Sequence, residues 1–115
     1  MTDSEIAWAA GLFEGEGSIS WFKLKSRKDS IKVSVVLTMT DADVVYKFAN
    51  IMGFGKVKGP YQPQPTSRKV RWVWEVQNFR ECVKAIDLLY PYLGERRKAK
   101  ADEFKEIVKN RLTEN

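Results

Sequence analysis

The sequence predicts an α+β fold in which helices cover one face of an antiparallel sheet. Helix-like and strand-like patterns follow one another in the order α-ββ-α-ββ-α-α. The strand-like segments alternate apolar and polar residues, which is the period of a half-buried strand. The length of 115 residues suits one domain with a core of its own. We therefore expect residues 1–115 to form a single domain.

The first half of the chain predicts a helix, a hairpin and a second helix. A capping-box pattern at residues 2–5 opens the first helix, which we expect to end at about Glu14. Alternating apolar residues predict two strands over residues 18–25 and 31–40, joined by a polar and basic connection. The second helix is predicted over residues 41–52, before two closely spaced glycines.

The second half predicts another pair of strands and two more helices. A short strand over residues 56–58 is followed by a proline-rich polar loop and a longer strand over residues 69–77. The helical spacing of apolar residues predicts a third helix over residues 79–90 and a last helix over residues 95–112. Pro91 is expected to end the third helix.

Two tryptophans in the longer strand, Trp72 and Trp74, have two possible roles. On the surface they would stack on unpaired bases, as in proteins that bind single-stranded nucleic acid. They alternate, however, with Lys69, Arg71 and Glu75, which favours a core position for both.

The composition excludes several classes of catalytic site. Histidine is absent and Cys82 is the single cysteine. These counts exclude a Ser-His triad, a histidine-metal nuclease, a disulfide framework and a cysteine zinc site. Acid–base or metal chemistry must therefore use Asp, Glu, Lys, Arg or water. We expect Cys82 to be a small core residue.

The charge and the hydropathy pattern indicate the kind of partner and the compartment. The net charge is +5 and the isoelectric point is about 9.4, which favours a polyanionic partner. No apolar run is long enough to span a membrane, and no secretory signal precedes the first helix. We expect an intracellular protein of the cytoplasm, the nucleoid or an organelle, which is not secreted.

Strand alternation places many basic and polar side chains on the sheet face opposite the helices. Such a face can bind nucleic acid, because strands fit the major groove and Lys and Arg bind phosphates. Ordinary solvation of the face is the alternative. The candidate DNA-binding residues of this face and its loops are Lys23, Lys25, Arg27, Lys28, Lys32, Ser34, Thr38, Thr40, Lys56, Lys58, Gln62, Gln64, Arg68, Lys69 and Arg71.

The segment Glu14-Gly15-Glu16-Gly17 breaks a local rule at the end of the first helix. A helix C-terminus carries partial negative charge, so two glutamates there repel the dipole and each other. Rule-breaking of this kind is expected at functional sites. A divalent cation would compensate the charge, since it takes carboxylate and backbone carbonyl oxygens as ligands. The alternative is a simple glycine helix cap with solvated glutamates.

The same segment resembles a known sequence motif. The stretch from Ala9 to Gly17 is similar to the signature of the LAGLIDADG homing endonucleases, with Glu14 and Glu16 at the two acidic positions in place of Asp. The order of the elements from residue 4 to residue 112 is similar too. The residues that match the motif and its continuation are Ala10, Gly11, Leu12, Gly17, Ser18 and Ile19.

The resemblance implies a homodimer on a long, pseudo-palindromic DNA duplex. In this family, chains with one motif pair their motif helices at the two-fold axis, and the sheets form a saddle over the DNA. Ala7, Gly11 and Gly15 lie on one face of the helix, and small side chains there favour close helix packing. The alternative is that this stripe of small residues, Ala7, Gly11 and Gly15, packs against other parts of the same domain. The resemblance adds Glu14 to the predicted dimer interface.

The resemblance also implies the catalytic residues. It assigns metal binding to Glu16 and to the backbone carbonyl of Gly15, with Mg²⁺ as the metal and Mn²⁺ as a possible substitute. A bound Mg²⁺ can activate water and stabilise charge on the phosphate without histidine. The basic catalytic residue falls on Arg96, with Arg97 or Lys98 as alternatives. Family residues that order the attacking water fall at about residues 38–41, where this chain has neither Gln nor Arg.

Three functions are consistent with these features. The first is a site-specific, intron-encoded type of DNA endonuclease that hydrolyses phosphodiesters with a divalent metal. The second is a DNA-binding regulator on the same fold that does not cut, and the third is an RNA-binding cofactor of intron splicing. The paired glutamates favour the nuclease, because a protein that only binds DNA has no need of them.

Overall fold

A computed structural model describes residues 1–23, 30–62 and 69–113, with side chains described as far as Asn110. It contains four α-helices and four strands in the predicted order. A 3₁₀ turn, Tyr90–Tyr92, separates the last two helices. The elements are α1 Asp3–Glu16, β1 Gly17–Lys23, β2 Ile31–Met39, α2 Ala42–Met52, β3 Lys56–Tyr61, β4 Arg71–Val76, α3 Phe79–Leu89 and α4 Glu95–Thr113. The fold is therefore α+β, as the sequence predicts.

The four strands form one antiparallel sheet in the order β1-β2-β4-β3. The pairs Ile19–Val35 and Leu37–Trp74 lie directly opposite each other, so their side chains share the face that the helices cover. Because side chains alternate along a strand, the residues between them point to the opposite face. We call that opposite side the outer face.

The core lies between the sheet and the helices. Trp74 is fully buried and donates a hydrogen bond from Nε1 to the backbone oxygen of Phe54 at 2.9 Å. Its ring meets Phe48 edge to face, with 4.9 Å between centroids. Cys82 is also fully buried, and burial raises the pKa of its thiol to about 12. The predicted core positions of Trp74 and Cys82 are confirmed, and Trp72 is half-buried against the core.

Some predicted boundaries are wrong by a few residues. The first helix continues to Glu16, because Gly17, and not Gly15, is its last capping residue. The strand β3 extends to Tyr61, since it pairs with β4 across an irregularity after Lys58. The strand β4 begins at Arg71, so Lys69 precedes it. The first turn of α1 has the predicted capping box, with both of its hydrogen bonds present.

The last two helices pack into the core through a few fully buried side chains. In α3 the fully buried side chains are Cys82, Ala85, Ile86 and Leu89, while Val83 and Phe79 are half-buried. In α4 the buried side chains are Ala101, Phe104 and Val108. Within the described ranges, no helix is long and apolar enough to cross a membrane.

Candidate functional site

The end of α1 passes into β1 without a loop. Gly17 caps the helix in an extended conformation, with φ of −87°, and its N–H donates to the backbone oxygen of Phe13. A Cβ at Gly17 would overlap the ring of Phe13, so only glycine allows this close approach. The junction therefore holds the last turn of α1 at the start of β1, beside the outer face.

Glu14 is engaged within its own chain. The backbone N–H of Gly94 donates to Glu14 Oε1 at 2.7 Å. Arg97 Nε lies 3.4 Å from Glu14 Oε2 and donates to the backbone oxygen of Glu14 at 3.3 Å. The guanidinium of Arg97 also lies over the ring of Phe13, 5.6 Å from its centroid. Glu14 thus connects α1 to the start of α4, a contact that the motif does not predict.

Glu16 is in the opposite situation. It is exposed, and no hydrogen bond or ion pair joins its carboxylate to another described side chain. It lines a cleft of about 390 Å³ at the edge of the outer face. The other lining residues are Thr38, Met39, Thr40, Asp41 and Arg71. A free carboxylate at an open cleft is available to a ligand, whereas Glu14 is already bound.

The oxygen atoms near Glu16 could provide some of the ligands of a divalent metal ion. The last four carbonyls of a helix have no partner within it. In α1, Phe13 accepts from Gly17 and Glu14 accepts from Arg97, and no described group donates to Gly15. The described residues hold no group of three or more Asp, Glu, Cys or His side chains that could surround an ion. Glu16 and the Gly15 carbonyl therefore fit a hard cation only if other ligands come from outside this chain.

The predicted basic residues at the start of α4 have different neighbours, although Arg96 and Arg97 line one cleft together. Arg97 is half-buried against Glu14 and Phe13. Lys98 places Nζ over the ring of Tyr90, 5.4 Å from its centroid. Arg96 is exposed and lines a second cleft, of about 440 Å³, with Ser18 and Lys100 among its neighbours. None of the three lines the cleft of Glu16, where the described cation is Arg71.

The outer face carries most of the predicted DNA-binding residues that are described. Lys32, Lys56, Lys58 and Arg71 are exposed on it, and Ser34 and Thr38 are half-buried. Thr40 follows β2 beside the cleft of Glu16, and the exposed Gln62 follows β3. Lys23 pairs with Ile31, so it alternates to the helix side at the end of the hairpin. Lys25, Arg27, Lys28, Gln64 and Arg68 lie outside the described residues.

The outer face also contains a carboxylate. Lys58 Nζ lies 2.5 Å from Glu75 Oε1, and this hydrogen bond raises the pKa of Lys58 above its usual value. Lys56 lies opposite Glu75 in the register of β3 and β4. Nearer the other edge, the hydroxyls of Ser20 and Ser34 are hydrogen-bonded at 2.8 Å. The face is therefore a mixed polar surface, with Lys56 and Lys58 on the edge strand β3 and Lys32 and Arg71 on the central strands β2 and β4.

The small residues of α1 face away from the core. Gly11 and Gly15 are exposed, and a Cβ added at either would have no described atom within 4 Å. Ala7, one turn earlier, is half-buried. Among the described residues, Gly11 and Gly15 therefore have no packing partner outside their own helix, so packing within the domain does not account for them. The stripe remains open for another surface.

Comparisons with known proteins give a structural match. The sequence matches no protein-family model and no curated protein. The homing endonuclease I-CvuI, solved with an I-CreI target in the presence of Mg and with the DNA uncleaved, superposes with a TM-score of 0.68 and 21% identity, over 94% of this chain and 70% of that chain. The protein has the LAGLIDADG homing-endonuclease fold. The fold that the motif implies is thereby confirmed.

Two further structures show how widely this fold is shared. The intron-encoded homing endonuclease I-CeuI, in complex with DNA, has a TM-score of 0.70 and 17% identity, over 99% of this chain and 59% of that one. The LAGLIDADG meganuclease I-AabMI, bound to uncleaved DNA, has a TM-score of 0.71 and 20% identity, over 95% of this chain. This chain spans only 39% of the I-AabMI chain.

Proposed function

We propose that the protein is a site-specific homing-type endonuclease that cuts double-stranded DNA by divalent-metal-dependent phosphodiester hydrolysis. The observation that carries the proposal is the unpaired Glu16 carboxylate, which opens into a cleft beside the outer face. Structures with the same fold are homing endonucleases in complex with DNA, which supports DNA as the substrate. The motif from Ala9 to Gly17 supports the same activity.

Glu16 and the backbone carbonyl of Gly15 are the groups that would hold Mg²⁺, or Mn²⁺ in its place. The ion, when bound, would supply an activated water and neutralise charge on the phosphate. The carboxylate of Glu16 would orient the ion at the cleft, and its exposed position would let it approach a phosphate of the duplex. The missing ligands would come from the phosphate, water or a second copy of the chain.

The outer face would bind the duplex. Lys32, Lys56 and Lys58 would contact phosphates, and the polar side chains of β2 would contact base edges or bridging waters. Lys58 is ion-paired with Glu75 in the free protein, so a phosphate would compete with Glu75 for its ammonium group.

A homodimer would complete the site. The open stripe of Ala7, Gly11 and Gly15 would let two copies of α1 approach closely at a two-fold axis. Each protomer would then bring its Glu16 to one of the two DNA strands. The target would be a long, pseudo-palindromic duplex, because a two-fold dimer presents the same outer face twice.

A non-cleaving DNA-binding regulator is the second candidate. The position of the predicted catalytic cations favours it, because neither Arg96 nor Lys98 lines the cleft of Glu16. The unpaired Glu16 favours the nuclease. The two candidates make different predictions for the fate of bound DNA.

A selection on random DNA tests the proposal. The protein is incubated with a randomised duplex library in Mg²⁺ or in Ca²⁺, and bound and cut molecules are sequenced. We expect a pseudo-palindromic site to be enriched in both ions and to be cut in Mg²⁺. Glu16→Gln is the matched control, which should select the same site without cutting it. A parallel incubation in Mn²⁺ covers the substitute metal, and enrichment with no cutting in Mg²⁺ and none in Mn²⁺ would identify the regulator instead.

A further inference from the structure

The cleft of Glu16 contains a cation that the motif does not predict. The end of β2 has neither Gln nor Arg, so the sequence provides no obvious group there to act on the phosphate. The structure brings Arg71 to the same place from the neighbouring strand β4. The cleft therefore contains both a carboxylate and a permanently charged guanidinium, from separate elements.

Strand pairing explains how Arg71 reaches the cleft. Met39 lies opposite Trp72 in the β2–β4 ladder, so Arg71 lies next to the end of β2, beside Thr40. Trp72 packs against the core, and alternation sends Arg71 to the outer face. The ladder thus fixes Arg71 at the mouth of the cleft, on the side where the duplex is proposed to lie.

Arg71 and Glu16 share the cleft without neutralising each other. Among the described residues, Arg71 makes no ion pair with Glu16 or with Asp41, although all three line the same 390 Å³. Asp41 also makes no side-chain hydrogen bond to cap α2. Opposite charges that stay apart across an open cleft leave space for a group that both can bind. A phosphate diester with a divalent cation has charges that fit this arrangement, with the cation at the carboxylate and the phosphate at the guanidinium.

We propose that Arg71 is a catalytic residue that binds a non-bridging oxygen of the phosphate being cut. The assignment rests on the proposed nuclease function. In the step, a water oxygen bonds to phosphorus and one ester P–O bond breaks. The leaving oxygen takes a proton from solvent, and the proton of the water returns to solvent. Arg71 keeps its protons throughout and stabilises the charge that develops on the phosphate.

Arginine suits this role better than lysine. Its planar guanidinium donates two parallel hydrogen bonds to a phosphate and stays charged at any working pH. The other described cations near the end of α1 already have partners or point elsewhere. Arg97 is bound to Glu14, and Lys98 lies over Tyr90.

Single-turnover cleavage of the selected duplex, at saturating protein and in Mg²⁺, tests the assignment. We expect Arg71→Ala to lower the rate by about 10²–10³-fold while duplex affinity changes by only a few fold. Arg71→Lys should recover part of the rate, because it restores the charge without the second hydrogen bond. Arg80→Ala, which removes an exposed arginine from α3 on the helix side, should cut at the wild-type rate.

Three results would overturn the assignment. The first is that Arg71→Ala cuts at the wild-type rate, and the second is that it loses affinity for the duplex with no loss of cleavage rate. The third is that it selects a different DNA sequence, because Arg71 would then be a base-reading residue. A wild-type protein that never cuts in Mg²⁺ or Mn²⁺ would overturn the nuclease itself. The two failures are distinguished because only the second affects wild-type cleavage.

A contact measurement in Ca²⁺ tests the same residue without cleavage. Single uncharged methylphosphonates are placed in turn across the centre of the selected duplex, and the affinities of wild type and Arg71→Ala are compared. At one central position, the methylphosphonate should weaken binding of the wild-type protein. It should weaken binding of Arg71→Ala much less, because that variant already lacks the side chain that contacts this phosphate. Equal effects on both proteins at every central position would overturn the contact.

Discussion

The last turn of α1 carries two glutamates in opposite situations. Glu14 accepts from Gly94 and pairs with Arg97, so its carboxylate connects two elements of the same domain. Glu16, two residues later, is exposed at a cleft with no described partner. The same helix end therefore contributes one carboxylate to the fold and leaves the other available for a ligand.

The contrast extends along the whole of α1. One side packs into the core through Ile6, Ala9, Ala10 and Phe13. The other side presents Gly11 and Gly15 without neighbours. Changes on the packed side should lower stability, and changes on the open side should affect assembly and chemistry while the domain stays folded. Each of the following substitutions tests one part of that division.

The largest effect is expected from Glu16→Gln. The change keeps the shape and removes the charge of a metal ligand, so cleavage should fall by at least about 10³-fold, which corresponds to roughly 4 kcal/mol. Duplex affinity should hold or rise, because repulsion with phosphate decreases, and the melting temperature should not change. Cleavage at the wild-type rate would show that Glu16 does not bind the metal.

Phe13→Ala tests the packed side. The Phe13 ring is buried, stacks on Phe48 with 6.5 Å between centroids and supports the guanidinium of Arg97. Truncation should lower the free energy of unfolding by about 3–5 kcal/mol, through lost burial and the cavity left behind. Urea unfolding gives the value. A loss below about 1 kcal/mol would mean that the helix end is held by other contacts.

Gly11→Val tests the open side. No described atom lies near the added side chain within the protomer, so monomer stability should change by less than about 0.5 kcal/mol. At a helix–helix interface the same change would cost about 1–3 kcal/mol per site through overpacking. Analytical ultracentrifugation with and without the selected duplex should show weaker dimerisation. A fully active dimer of this variant would place the interface elsewhere.

Glu14→Ala should have a moderate effect on stability. It removes the acceptor for Gly94 and the partner of Arg97, and we expect a loss of about 1–2 kcal/mol at this partly exposed position. Glu16→Ala is the matched control, since it removes a carboxylate from the same turn and should change stability by less than about 0.5 kcal/mol. Equal losses in the two variants would remove the contrast between the glutamates.

The sequence predicts the architecture well because the information is local. The capping box, the alternation in β2 and β4 and the helical spacing in α3 each lie within one segment. The prediction that two glutamates lie at the end of α1 also follows from adjacent residues. The end of β3 depends on pairing between distant strands, and its predicted position was wrong.

The different roles of Glu14, Arg71 and Arg97 could not be predicted in the same way. Glu14 is bound because Gly94, 80 residues away, brings its N–H to the carboxylate. Arg71 lines the cleft because of the β2–β4 register, and Arg97 is directed inward by the Phe13 ring. A glutamate motif contains none of this information. One signal was available, since alternation along β4 already placed Arg71 on the outer face.

Anomalous diffraction from Mn²⁺ in crystals of the wild-type protein with its selected duplex distinguishes the two glutamates as metal ligands. We expect an anomalous peak coordinated by the Glu16 carboxylate, close to the Gly15 carbonyl and a DNA phosphate, and none at Glu14, whose oxygens face Gly94 and Arg97. A peak at Glu14, or cleavage in the crystal with no peak at Glu16, would contradict that expectation.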